Sequence, residues 1–266
     1  MFIASWLFKI QNKWLLQIKK EMTDYSNSLW GAPSSLVNWC EEDYVHFNFI
    51  AETWNTLSNL VTILYGVVLL VHYKKYQVET RFIAATSLMI LVGVGSASFH
   101  GTLKYHFQLL DELPMLYLTC SLSYIVIQMP SKCRPHPYLP NLAIFMCFVL
   151  TVLHVLFKDA ELFFAAFGIL LAPAFIYPFK HRTIGPFELA MKFSAVCMFS
   201  GFICWETDRF LCKYTHFLYL HSWWHVFTAI SGVYWLNAMV FLRKRYVLKE
   251  PCRLTYGGLW AELDSK

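Results

Sequence analysis

Few residues of this chain carry charge. Only 15% of the 266 residues are Asp, Glu, Lys or Arg, against 57% hydrophobic and 18% aromatic. A soluble surface needs about a quarter charged, so a water-covered globule is excluded, and a mean hydropathy of +0.44 places the chain in a bilayer. No polar stretch has room for a soluble domain. No internal repeat or low-complexity linker divides the sequence, which leaves one compact helix bundle as the simplest organisation. The eight cysteines include no C-x-x-C pair, which argues against a structural zinc ribbon. The net charge of +5 is concentrated in connecting loops, which excludes a nucleic-acid binder.

What is present is a series of apolar stretches of about 17 to 25 residues, the length a helix needs to cross the hydrocarbon core. Seven are expected, at about 49–73, 82–101, 110–129, 141–157, 161–179, 187–206 and 217–242. The fold expected is an all-α, seven-transmembrane helix bundle over residues 29–245, preceded by an extension at 1–28 and followed by a tail at 246–266. Breakers separate the spans: Lys74-Lys75-Tyr76, Pro130-Ser131-Lys132, Pro135 to Pro140 and Lys180-His181-Arg182.

Orientation follows from Lys and Arg, which accumulate on the cytoplasmic side. The 1–2, 3–4 and 5–6 connections and the tail hold Lys74, Lys75, Arg81, Lys132, Arg134, Lys180, Arg182, Arg243, Lys244, Arg245, Lys249 and Arg253; the other side holds Lys104, Lys158, Arg209 and Lys213. The C-terminus is therefore expected in the cytosol and the N-terminus in the lumen or outside. Lys9, Lys13, Lys19 and Lys20 pull the other way. Opposite them Phe2, Ile3, Trp6, Leu7, Ile10, Trp14 and Ile18 recur near helical spacing, as in an interfacial amphipathic helix; a disordered tail is the alternative. Most cysteines lie mid-span, but Cys40 and Cys212 both fall on the oxidising side and are expected to form a disulfide.

Ionisable groups inside spans are costly and face the bundle interior. Ser96 and His100 near the end of span 2, Asp111 at the start of span 3, and His221 and His225 at the start of span 7 should share one depth, because alternate spans run in opposite directions. In His221-Ser-Trp-Trp-His225 the imidazoles stand at i and i+4, stacked on one helix face. With His100 they would supply three ligands to zinc and leave the fourth position open, the layout of a catalytic rather than a structural site. His106 is a rival ligand. His154 reads as a helix-packing hydrogen-bonder, and His46, His72, His136, His181 and His216 as loop or interfacial residues.

A second polar cluster, Asn38-Trp39-Cys40-Glu41-Glu42-Asp43, precedes span 1, with Glu52 expected inside that span. Oxygen donors at Asn38, Glu41, Asp43 and Glu52, with backbone carbonyls, would suit calcium, although the segment is no EF-hand loop. A solvated acidic cap at a helix N-terminus is the plainer alternative. Asn55, Ser58 and Asn59 continue a polar stripe toward the bundle centre.

Several ordered motifs between about residues 29 and 245 resemble the alkaline ceramidase family, within the superfamily that includes adiponectin receptors. They are Trp30-Gly31, Asn-Trp-Cys-Glu-Glu-Asp-Tyr at 38–44, Ala-Glu-Thr-Trp-Asn-Thr-Leu-Ser-Asn at 51–59, Gly-Ser-Ala-Ser-Phe-His-Gly-Thr-Leu-Lys-Tyr at 95–105, Gln-Leu-Leu-Asp-Glu-Leu-Pro-Met at 108–115, Trp-Glu-Thr-Asp at 205–208, and His-Ser-Trp-Trp-His at 221–225. The resemblance implies zinc on His100, His221 and His225, with Asp111 and Ser96 as catalytic residues. It also implies calcium bound by Asn38, Trp39, Glu41, Asp43 and Glu52. Asn38 stands where the family is usually acidic, and Asp43 where it often has Asn, an exchange that preserves the number of carboxylates. The activity implied is calcium-regulated hydrolysis of ceramide to sphingosine and a fatty acid in the endoplasmic reticulum or Golgi membrane, with the active site toward the lumen. Two alternatives stand beside it: a receptor of the adiponectin type with residual hydrolase activity, and a transporter or channel. The sequence has neither the inverted repeat nor the paired broken helices expected of the latter.

Overall fold

The computed structural model describes residues 25–129, 137–178 and 185–263. Residues 1–24, which include most of the expected amphipathic segment, lie outside the described residues, as do Lys132, Arg134, His136, Lys180, His181 and Arg182. Seven helices follow in order: α1 (Thr53–Lys75), α2 (Thr80–Thr102), α3 (Tyr105–Ile127), α4 (Leu139–Phe157), α5 (Ala160–Ile176), α6 (Gly185–Thr215) and α7 (Leu220–Phe241). Six of them are long and apolar enough to cross a membrane; α5 is apolar but has 17 residues. These helices make the chain a multi-pass membrane protein.

Helix ends differ from the hydropathy limits where polar groups find partners. α1 starts at Thr53, so Glu52 precedes the helix rather than lying inside it. The first free N–H groups of α1 are met from outside: Glu41 accepts from the N–H of Trp54 at 2.7 Å and of Asn55 at 2.8 Å, a carboxylate cap on the positive end of the helix. α6 continues to Thr215, with non-helical dihedrals at Leu211 (φ −117°, ψ 20°). Its apolar run stops near residue 206, but the backbone helix carries Asp208 and Arg209 onward because both side chains are engaged.

The carboxyl end of α2 organises the site. Leu103, at φ 53°, closes the helix by donating to the Phe99 carbonyl. The last carbonyls of a helix lack intrahelical partners. Here the N–H of Ala51 reaches the Gly101 carbonyl and that of Glu52 the His100 carbonyl, both at 2.9 Å, while Ser34 and Ser35 donate to Leu103. The segment before α1 is thereby bonded along the end of α2. Glycine allows the next approach: a Cβ on Gly95 would stand 2.1 Å from the Leu110 carbonyl oxygen, so α2 touches the backbone of α3 at Leu110–Asp111.

α1, α2, α3, α6 and α7 form the packed body, and α4 lies at the edge with His154 its one buried residue. Membrane helices associate through close packing and interhelical hydrogen bonds. Tyr73 donates to Asn237 at 3.0 Å, Trp235 to the Ala174 carbonyl at 2.8 Å, and Ser194 to the Ser231 carbonyl at 3.0 Å. One apolar core includes Tyr73, Phe82, Trp235, Leu236 and Met239. A smaller one, of Trp39, Ala51, Phe99, Leu103, Trp205 and Trp224, surrounds the polar site. After a π-helical turn at Leu242–Leu248 the chain forms an antiparallel hairpin, β1 (Cys252–Thr255) with β2 (Trp260–Leu263). The hairpin docks on the bundle: His72 lies 2.8 Å from the Ala261 carbonyl, and Asn237 donates to the Leu259 carbonyl at 2.7 Å.

Candidate metal centre and active site

Three buried imidazoles converge. His100, His221 and His225 each offer a ring nitrogen, and these nitrogens lie within 4.8 Å of one another. His100 comes from the end of α2; His221 and His225 occupy successive turns at the start of α7. Ring centroids are 5.0 Å apart for His100 and His221, 4.9 Å for His100 and His225, and 4.7 Å for His221 and His225. Nε2 of His100 and Nδ1 of His221 are buried without a hydrogen-bond partner. An unmet buried polar atom costs about 1–3 kcal/mol, so two of them on rings that stand this close, beside a third imidazole, fit a cation that prefers nitrogen ligands. The group could hold a metal ion.

The other face of each ring is held. Glu52 is fully buried, with Oε2 2.5 Å from His100 Nδ1. That contact fixes the tautomer so that Nε2 faces the convergence point, as carboxylates commonly do behind metal-binding histidines. Ser58 Oγ lies 2.8 Å and Asn59 Nδ2 3.2 Å from His225 Nδ1. Trp39 stacks on His221 with centroids 3.6 Å apart and planes 16° from parallel. Ser96 accepts a hydrogen bond from Asn59 at 3.0 Å, lies 3.5 Å from His225 Nε2, and is paired with the Asp111 side chain. Asp111 stands in the second turn of α3, since that helix begins at Tyr105 rather than 110. Both carry their groups into the buried interior, at 2% and 8% exposure.

The 38–43 segment lies alongside. Asn38 donates to Asp43 at 3.3 Å, and Asp43 also accepts from the Tyr25 hydroxyl at 2.9 Å. The Trp39 N–H donates to Glu52 Oε1 at 3.3 Å, so Glu52 joins this segment to His100. Asn38 Oδ1 is buried without a partner. Burial pushes the Glu41 carboxyl up to about 7, against the opposing pull of the Trp54 and Asn55 N–H groups. A buried oxygen without a donor among the described residues, in a segment whose Glu41 is kept from ionising by burial, fits a hard cation. Cys40 and Cys212 are joined as a disulfide with Cα atoms 5.4 Å apart. Beside it Asp208 accepts from the N–H of Cys40 at 3.0 Å and of His221 at 3.3 Å.

Two other histidines stay out of the centre. His106 is exposed. His154 lies 2.7 Å from Glu112, whose second oxygen accepts from Gln108 at 2.9 Å; the contact is close across helices but lacks hydrogen-bond geometry, so the expected helix-packing hydrogen bond is not formed. Asp208 is a functional candidate that the spacing of the histidines does not reveal; its signal in the sequence is a carboxylate closing an apolar run. An apolar cavity of about 290 Å³ lies between α5, α6 and α7, lined by Phe164, Phe167, Leu171, Met198, Trp205 and Trp224. Trp224 belongs to the same helical turn as His221 and His225.

Comparison with known proteins agrees with this geometry. The Ceramidase family model matches residues 31–262. The chain is 30% identical over 250 residues to alkaline ceramidase 3 of Mus musculus, covering 87% of this chain and 92% of that protein. It is 31% identical over 265 residues to an alkaline ceramidase of Saccharomyces cerevisiae, covering 87% and 84%. With alkaline ceramidase 1 of Homo sapiens it shares 30% identity over 236 residues, covering 82% and 87%. The matched region contains the three imidazoles, Asp111, Ser96 and the whole 38–52 segment, and the chain belongs to the ceramidase family.

Proposed function

We propose that this chain is a zinc-dependent intramembrane hydrolase that cleaves the N-acyl amide of ceramide to sphingosine and a free fatty acid. The observation that carries the reading is the convergence of His100, His221 and His225 beside Asp111 and Ser96, in a chain of the ceramidase family. Seven spans, with α5 the shortest, would set this end of the bundle toward the lumen of the endoplasmic reticulum or Golgi.

His100, His221 and His225 would hold the zinc, which when bound supplies a more acidic water and polarises the amide carbonyl. Asp111 then acts as general base, taking a proton from the attacking water and delivering it to the sphingosine nitrogen as the C–N bond breaks. The Ser96 hydroxyl accepts from Asn59 and pairs with Asp111; once Asp111 has taken up the proton of water, the hydroxyl is released to donate to the oxyanion. Glu52 keeps His100 in one tautomer through its short contact to Nδ1. The apolar cavity beside Trp224 would receive a hydrocarbon tail directly from lipid.

Calcium would be held by Asn38, Trp39 through its carbonyl, Glu41, Asp43 and Glu52. Glu52 uses its oxygens on the Trp39 N–H, Asn55 and His100, so an ion there would stiffen the same hydrogen bonds that position His100. The experiment is hydrolysis of labelled ceramide by detergent-purified protein, with metal analysis of wild type and His221→Ala. Release of fatty acid together with zinc that the variant loses supports the enzyme. A protein that holds zinc and releases little fatty acid would instead be receptor-like.

A further inference from the structure

Asp208 is 2% exposed on α6, and no step of the hydrolysis uses it. Its Oδ2 accepts from the N–H of Cys40 and its Oδ1 from the N–H of His221. Cys212, one turn further along the same helix, carries the disulfide to Cys40. Residue 40 is therefore held twice by a single turn of α6. The carboxylate also reaches the start of α7 through the His221 N–H, which the disulfide does not. His221 is the second residue of α7, where a backbone N–H lacks an intrahelical partner and a negative charge complements the helix end. Trp39, the neighbour of Cys40, covers the His221 ring at 3.6 Å. One side chain that fixes the backbone at both 40 and 221 fixes how the indole lies on the imidazole.

We infer that Asp208 is a positioning residue that sets the direction of the His221 ring toward the metal, acting through two backbone N–H groups without touching metal or substrate. This rests on the reading of His100, His221 and His225 as a metal centre. Groups that orient metal ligands typically contribute 10–100-fold to metal affinity. In Asp208→Ala both acceptors are lost. In Asp208→Asn the shape is kept, but the amide NH₂ meets one N–H donor with another, so at most one bond survives.

The test uses full-length protein loaded with zinc or with cobalt(II). Metal affinity is measured by chelator competition, the cobalt d–d absorption is recorded, disulfide content is titrated, and kcat and KM for ceramide are measured. Expected for Asp208→Ala are an intact disulfide, metal affinity about 10–100-fold lower, a shifted cobalt band, and a lower kcat with KM little changed. Asp208→Asn should fall between it and wild type, and carries the test alone if the alanine variant does not fold. Wild-type affinity and an unshifted cobalt band in Asp208→Asn, with metal lost in His221→Ala, would overturn the role of Asp208 and leave the metal centre standing. Wild-type protein that binds no stoichiometric metal would overturn both.

Discussion

Oε2 of Glu52 stands 2.5 Å from Nδ1 of His100, and neither side chain is exposed. Their backbones are also bonded, the Glu52 N–H donating to the His100 carbonyl at 2.9 Å. In Glu52→Gln, the amide can still accept from His100 but without charge, and zinc affinity should fall by about tenfold; Glu52→Gly should lose up to about a hundredfold. Chelator competition on purified protein measures both, and equal affinity across the three proteins would remove Glu52 from the centre.

Gly95 sets a second distance. A methyl group there would meet the Leu110 carbonyl at 2.1 Å and the Asp111 nitrogen at 3.0 Å, so Gly95→Ala must part α2 from α3 and carry Asp111 away from Ser96. Overpacking of this kind costs about 1–3 kcal/mol. A lower unfolding midpoint and a kcat reduced at least about tenfold are expected, since small misplacements of catalytic groups are expensive. Gly185→Ala, with nothing among the described residues within 4 Å of the added atom, serves as the control and should change neither.

Asp111→Asn removes the proton acceptor while keeping its size. The expected result is a kcat about 10²–10⁴-fold lower with zinc content near that of wild type. Loss of zinc in proportion to activity would instead make Asp111 a ligand.

Glu41 gives a pH signature outside the spans. A carboxyl raised from 4.5 to about 7 by burial takes up a proton on folding within that interval. Its contribution to stability is therefore full below 4.5 and lost as pH rises through 7. In calcium chelator, the wild-type unfolding midpoint should fall, relative to Glu41→Gln, between about pH 5 and 7.5. Saturating calcium should flatten the difference, because it favours the ionised form. A wild-type midpoint that climbs relative to the variant across this range would contradict the assignment.

How much of this could be read in the sequence depends on whether a feature is periodic or relational. His221 and His225 declare themselves by their i, i+4 spacing, and His100 and Asp111 by the cost of polar groups in apolar helices; the structure brings the three imidazoles together and links Asp111 to them through Ser96. Glu52 also stood out as a costly carboxylate, but its bond to His100 depends on how the segment before α1 lies along α2, which no local pattern encodes. Gly95 was visible only as part of a motif. Its role comes from the approach of a neighbouring backbone. Hydropathy ended the sixth span near 206, because it registers Glu206, Asp208 and Arg209 as polar and cannot register that Asp208 and Arg209 are partnered.

The three imidazoles come from opposite ends of the helical order, one from the second helix and two from the seventh. A ribosome that has delivered the first six helices has produced only His100 of the three. A metal held there as proposed would therefore be captured only once the last helix has docked, which would tie loading of the centre to completion of the membrane domain.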